Sequence, residues 1–142
     1  MKISTRGQYS LEALLCIATN PSDKPNSIHW ISQKTSISEG YLEQLFIPLK
    51  KAGIVSGSRG ASGGYQLSKP LKEINAYDIL VATETSLSAV PCLQKEHCHF
   101  AETCKTKPVW EKVDSTFAEI LKSITLEDLA NVFRGVVGEY YG

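Results

Sequence analysis

Ser38-Glu39-Gly40-Tyr41-Leu42-Glu43-Gln44-Leu45-Phe46-Ile47-Pro48-Leu49-Lys50-Lys51-Ala52-Gly53 is the stretch whose reading decides the fold. Ser38 suits the N-cap of a helix that begins at Glu39, because its hydroxyl can accept from an orphan N–H of the first turn. Leu42, Leu45, Phe46, Leu49 and Ala52 then recur at helical spacing on one face. The other face shows Tyr41, Glu43, Gln44, Ile47, Lys50 and Lys51. Pro48 cannot bond the carbonyl of Gln44, so a bent last turn is expected. Gly53 follows as the residue that ends the helix.

Working outward, residues 8–19 read as a largely buried helix, with Leu11, Leu14, Leu15 and Ala18 at i, i+3, i+4 and i+7. Ser27 caps a short helix through Thr35, and Ser36-Ile37-Ser38 is the turn into the third helix. On the C-terminal side, two short β-runs around Ile54–Arg59 and Tyr65–Ser68 are separated by Gly60, Gly63 and Gly64, which reads as a hairpin. Another helix covers residues 75–85 with Asn75 as its cap. Three helices followed by a two-stranded hairpin is the order of a winged helix-turn-helix.

The second half differs. Residues 88–107 show no helical or strand period. From Pro108 onward, Trp110, Val113, Phe117, Ile120, Leu121 and Ile124 form a seam of heptad type. A single apolar stripe on a long helix outside the first module needs a partner; a symmetry mate is the simplest source, and packing back on its own wing domain is the alternative. Thr125 and Asp128 form a partial capping box for a last short helix to Phe133, and the glycine-containing tail is expected to fray. The fold class is therefore mostly α with a small β-hairpin wing. Residues 1–86 form the winged helix-turn-helix, 87–107 a cysteine-containing loop, 108–134 a dimerisation helix plus a short helix, and 135–142 a frayed tail.

Composition fits this. Apolar residues make up 42% and the 15 bases balance the 15 acids. Disorder, a disulfide-knotted toxin and a membrane protein are poor fits, since no apolar run approaches the roughly 20 residues of a span. The first residues, Met1-Lys2-Ile3-Ser4-Thr5-Arg6, lack the apolar stretch of a secretory signal, which sets the expectation of a cytoplasmic protein. Charge is nonetheless uneven: residues 1–69 carry eight Lys/Arg against four acids, and the rest is correspondingly acidic. That asymmetry points the front half toward a polyanion.

The outward face of the third helix suits the major groove. Gln44 can pair with adenine and Glu43 can accept from the cytosine amino group, with Tyr41 beside them. Lys50 and Lys51 suit phosphates, which position without reading sequence. Arg59, on a glycine-rich tip, is the residue type for a narrow minor groove. Double-stranded DNA bearing a pseudo-palindromic operator is the expected partner of a dimer built this way.

Of the four cysteines, Cys16 lies in the apolar first helix and reads as a small buried hydrophobe. Cys92, Cys98 and Cys104 are evenly spaced in the irregular segment, with His97, His99 and Glu102 nearby. Three thiols cannot all pair within one chain, and they read as soft ligands for zinc or an iron–sulfur cluster. Zinc knuckles use tighter pairs than these, and the wide spacing suits a larger object. No P-loop, nucleophile elbow or zinc-protease motif appears, so no enzyme is expected. A thiol oxidoreductase would want a C-x-x-C pair, and an electron carrier would leave the helix-turn-helix without purpose.

The run Ser38 to Phe46, with Arg59-Gly60, Gly63-Gly64-Tyr65 and the start Met1-Lys2-Ile3-Ser4-Thr5-Arg6-Gly7-Gln8-Tyr9, resembles the BadM/Rrf-type winged-helix transcriptional regulators. The three cysteines resemble the iron–sulfur cluster regulator (IscR-like) branch. The resemblance implies a homodimer joined through the long helix and a 2Fe–2S cluster on Cys92, Cys98 and Cys104. It also implies that cluster occupancy changes which promoters are bound, cluster-assembly genes among them. Glu43 and Gln44 become base readers, with Arg59 in the wing. Where that branch has a histidine three residues after the third cysteine, this chain has Lys107. His97, His99, Glu102 or a residue of the other subunit are the alternatives for a fourth ligand. Relatives that sense nitric oxide through a 4Fe–4S cluster, or cysteine metabolism without a cluster, share the same front half.

Overall fold

Each front-half helix begins on a side chain that satisfies an orphan amide. The computed structural model describes residues 2–90 and 103–141, the last six of these as backbone alone. In it, Ser4 accepts from the Gly7 amide, Ser27 from Trp30, Ser38 from Tyr41 and Asn75 from Asp78, at 2.8–3.3 Å. Such caps are worth about 1 kcal/mol each. They set the starts of α1 (Thr5–Thr19), α2 (Ile28–Thr35), α3 (Glu39–Lys51) and α4 (Ala76–Thr83). The first helix begins three residues earlier than the apolar period indicates. Ser4 caps it there, and its amide and hydroxyl both donate to the Glu84 carboxylate, tying this end to the end of α4.

The turn between α2 and α3 is tight. Ser36 takes a left-handed conformation at φ 62°, and its amide bonds Ser32 O at 2.8 Å. The Ser32 hydroxyl donates to Ile37 O at 2.6 Å, which closes the turn from the other side. Helix α3 then continues through Pro48 to Lys51, and Gly53 follows at φ 75° as the glycine expected there. Strands β1 (Val55–Ser58) and β2 (Gly64–Leu67) pair antiparallel, Val55 opposite Leu67 and Ser58 opposite Gly64. A single 3-10 turn at Leu71–Glu73 leads into α4.

One core holds these elements. Leu14, Ile31, Leu42, Phe46, Leu49, Ile79 and Leu126 are completely buried in it. At roughly 1.5–3 kcal/mol per buried large side chain, this cluster is the main stabilising term.

Helix α5 (Lys107–Ser123) and helix α6 (Leu126–Tyr141) complete the chain. The predicted capping box is present: Thr125 N donates to Asp128 at 3.0 Å, and Asp128 N donates to the Thr125 hydroxyl at 3.1 Å. Two findings depart from the sequence reading. The last helix does not stop at Phe133: where the sequence predicts a frayed tail of 135–142, the described backbone is helical through Tyr141, because neither Gly135 nor Gly138 breaks the hydrogen-bonded ladder. Helix α6 also joins the front module's core through Leu126 and Ala130, both fully buried, and packs on α1. The α5–α6 turn is stitched to the front module by Ala76 N to Ile124 O and Leu126 N to Ile74 O, each 2.8 Å.

The apolar seam of α5 divides. Trp110, Phe117, Leu121 and Ile124 are half-buried, while Val113 and Ile120 are 39% and 53% exposed and Val109 joins them at 53%. Part of the stripe therefore packs on α4, where the Lys122 ammonium also sits 4.7 Å above the Tyr77 ring. No residue of α5 is fully buried. No helix among the described residues is long and apolar enough to cross a membrane.

Candidate nucleic-acid interface

The orientation of α3 follows from which of its side chains the core takes. Leu42, Leu45, Phe46 and Leu49 are at most 1% exposed, which leaves Glu43, Gln44, Ile47, Lys50 and Lys51 facing out. Glu43, Gln44, Lys50 and Lys51 make no hydrogen bond or ion pair to any described residue, so their polar ends are available to a ligand. Tyr41 is different. It is half-buried and meets Tyr9 edge-on, with ring centroids 5.7 Å apart, so it supports the face as much as it displays itself.

Two features tune the helix ends. Glu39 lies in the first turn and Lys50 and Lys51 in the last, each sign favourable to the helix dipole. His29 Nδ1 of α2 lies 2.7 Å from Glu39, with both side chains at least half exposed. That contact is worth at most about 1 kcal/mol. It nonetheless joins the two helices across the turn.

The wing is fixed to the same body. Phe46 stacks on Tyr65 of β2, with centroids 4.3 Å apart and planes 11° from parallel. Asn26 and Tyr65 exchange both backbone hydrogen bonds, at 2.9 and 2.8 Å, and the Asn26 side chain adds a third to Tyr65 O. Gly64 sits at φ 153° where a Cβ would come within 2.3 Å of Asn26 O, so only glycine lets the strand approach this closely. Lys50 Nζ lies 3.8 Å from where a Gly57 Cβ would be, which places the cation beside β1. Arg59, one residue past β1, is exposed and makes no ion pair or hydrogen bond to a described residue.

The structure thus brings together five of the six predicted DNA residues on one helix, with Arg59 on the adjoining hairpin. Sequence reasoning gave Ile47 no role, yet it is 61% exposed in the middle of the polar face. Its signal was its placement between Gln44 and Lys50 on the outward side.

Of the cysteines, Cys16 on α1 is half-buried rather than buried as expected, and the burial it has pushes its thiol up in pKa. Cys104 lies half-buried just before α5, and the Thr106 hydroxyl 3.5 Å away holds its thiol below the ordinary range, with help from nearby backbone amides and Lys107. Cys92 and Cys98, with His97, His99 and Glu102, lie outside the described residues. Lys107 turns toward Glu111 at 3.6 Å, an i, i+4 ion pair.

A helix presented by a tight turn, followed by an antiparallel wing, defines a winged helix-turn-helix DNA-binding regulator. The chain belongs to the Rrf2 family: the model described as "Iron-dependent Transcriptional regulator" matches residues 3–132. The chain is 36% identical over 131 residues to the HTH-type transcriptional regulator IscR of Photorhabdus laumondii, covering 92% of this chain and 80% of that one. Among solved structures, the global cysteine regulator CymR of B. subtilis superposes with a TM-score of 0.75 at 39% identity, over 93% of this chain and 98% of its own. T. potens IscR gives a TM-score of 0.72 at 38% identity, over 92% and 87%. The protein is an Rrf2-family DNA-binding transcriptional regulator.

The close approach at Gly64 yields a stability prediction. Gly64→Ala will lower the unfolding free energy by about 1–3 kcal/mol, because its methyl collides with backbone rather than with a movable side chain. Gly40→Ala, where a Cβ meets nothing within 4 Å, will leave stability equal or slightly higher. Urea unfolding followed by circular dichroism measures both.

Proposed function

We propose that the chain is a homodimeric promoter-binding regulator whose DNA binding is controlled by an iron–sulfur cluster, of 2Fe–2S type, on Cys92, Cys98 and Cys104. The DNA part rests on the outward face of α3, where Glu43, Gln44, Lys50 and Lys51 have no partner among the described residues while Leu42, Leu45, Phe46 and Leu49 are buried. Glu43 and Gln44 read base edges, and Ile47 offers apolar surface to a thymine methyl. Lys50 and Lys51 hold phosphates, and Arg59 enters the minor groove beside them.

The cluster reading rests on donor chemistry. Thr106 and the adjoining backbone hold the Cys104 thiol below its ordinary range, a direction that suits a metal ligand. Lys107, paired with Glu111, is not set up as a fourth ligand, which leaves His97, His99, Glu102 or a partner residue for that place. When bound, such a cluster would supply redox- and iron-dependent ligation through the cysteine thiolates. The chain's own contribution is to anchor that segment: the Ala89 amide donates to Asp114 of α5 at 2.6 Å, and Cys104 lies three residues before the same helix begins. Both ends of the segment therefore meet the helix that we assign to dimerisation. Genes of cluster assembly are the targets this reading favours. A second reading, a cysteine-responsive regulator without a cluster, is favoured by the likeness to CymR.

Dimerisation is assigned to α5 from Val109, Val113 and Ile120, three large apolar side chains left 39–53% exposed on a helix with no fully buried residue. A two-fold pair of such helices would space two copies of α3 on a pseudo-palindromic site.

Three outcomes follow. Arg59→Ala will weaken binding to a selected duplex by about 1–3 kcal/mol, and Lys50→Ala will reduce the salt slope by about one, in fluorescence anisotropy titrations. Unchanged affinity at low salt in both would contradict the interface. Protein prepared anaerobically will be coloured and contain iron and sulfide, and Cys98→Ala will lose both together with the wild-type promoter preference. Colourless, iron-free wild type with regulated binding would favour the cysteine-responsive reading instead. Val113→Asp combined with Ile120→Asp will sediment as monomer where the wild type sediments as dimer.

A further inference from the structure

A cleft of about 380 Å³ opens on the front module, away from any residue assigned above to DNA, metal or dimerisation. Its size falls within the range of small-molecule sites. Leu15 and Cys16 of α1, Trp30 of α2 and Phe133 of α6 give it apolar walls, while Glu12 and Lys34 bring one charge of each sign.

The other polar groups of the cleft are already satisfied. The Thr19 hydroxyl donates to Leu15 O, the Thr35 hydroxyl donates to Ile31 O, and the Asn20 amide donates to Asn26. Glu12 and Lys34 are not. They form no ion pair with each other or with any described residue, and Lys34 has only the Trp30 ring, 6.0 Å away. The indole N–H of Trp30 also lacks a hydrogen-bond partner among the described residues. Glu12 and Lys34 line the cleft together with the Cys16 thiol.

We infer that this cleft binds a small zwitterion, an L-α-amino acid with an apolar side chain. Its carboxylate lies at Lys34, its ammonium at Glu12, and its side chain between Trp30 and Phe133. Opposite charges that line one cleft unpaired, beside aromatic surface, match that class, and neither a simple anion nor a simple cation would use both. Occupancy joins α1 and α2 to α6. Helix α2 is tied to α3 through the Ser32–Ile37 and His29–Glu39 contacts, so the ligand acts on the element next to the recognition helix. That last step rests on the DNA reading; the binding site does not.

The test titrates the full chain with L-leucine, L-methionine and L-phenylalanine by calorimetry and by Trp30 fluorescence, the latter in a Trp110→Phe background. Isopentylamine and 4-methylpentanoate, leucine without its carboxylate or its ammonium, serve as probes of each charge. We expect saturable binding of at least one of the three amino acids and at least tenfold weaker binding of both half-charged probes. Lys34→Met and Glu12→Gln should each cost tenfold or more while circular dichroism and duplex affinity in the absence of amino acid stay unchanged. Absence of binding at millimolar concentration would overturn the inference, as would binding that survives both substitutions. Dissociation of the dimer by Lys34→Met would also overturn it, by showing that a second copy fills the cleft. Loss of amino-acid binding with duplex binding intact removes this inference alone; loss of duplex binding with amino-acid binding intact removes the DNA reading alone.

Discussion

The Phe46–Tyr65 stack is the contact on which the DNA-facing half depends. Phe46 is fully buried on the inner side of α3, and Tyr65 is the second residue of β2. Such a pair is worth about 0.5–1.5 kcal/mol beyond its area. Its greater effect is geometric. It fixes the rotation of α3 about its axis and the position of the hairpin in one step, so Glu43 and Gln44 face outward at a set distance from the wing. The Asn26–Tyr65 bridge then ties the same residue to the start of α2, and Gly64 permits the approach.

The rest of the molecule uses the same economy of parts. Helix α5 divides its apolar stripe, lending Phe117 and Leu121 to the front module and holding Val109, Val113 and Ile120 outward. Helix α6 returns to the core through Leu126 and Ala130. Helix α5 is thereby anchored at its C-terminal end to the body carrying α3, by the backbone pairs at Ile74, Ala76, Ile124 and Leu126. A change at α5 has a short route to α3 through packed and hydrogen-bonded elements.

Most of the front half was legible in the sequence because local chemistry and tertiary packing agree there. Ser27, Ser38 and Asn75 cap the helices they precede, Gly53 ends α3, and the apolar period of Leu42 to Leu49 names the buried face. The disagreements arise where distant contacts decide. The start of α1 depends on Glu84, eighty residues away, which no local pattern reveals. The placement of α6 depends on core space that only the folded module creates, and the period of the α5 seam could not say which of its residues turn inward. For the interface, residue type and spacing identified the polar face, while Ile47 escaped because an exposed apolar side chain is ordinary on any surface. The cysteine spacing indicated soft ligation, and the structure adds the environment of Cys104; Cys92 and Cys98 fall outside the described residues.

The central claim is that the outer face of α3 contacts duplex DNA. Lysine acetylation footprinting of the full chain, with and without a duplex that the protein itself selects from a random-sequence library, tests it most directly. The account predicts that Lys50 and Lys51 become protected on duplex binding while Lys112 of α5 reacts equally in both states. Equal acetylation of Lys50 and Lys51 with and without saturating duplex would contradict it.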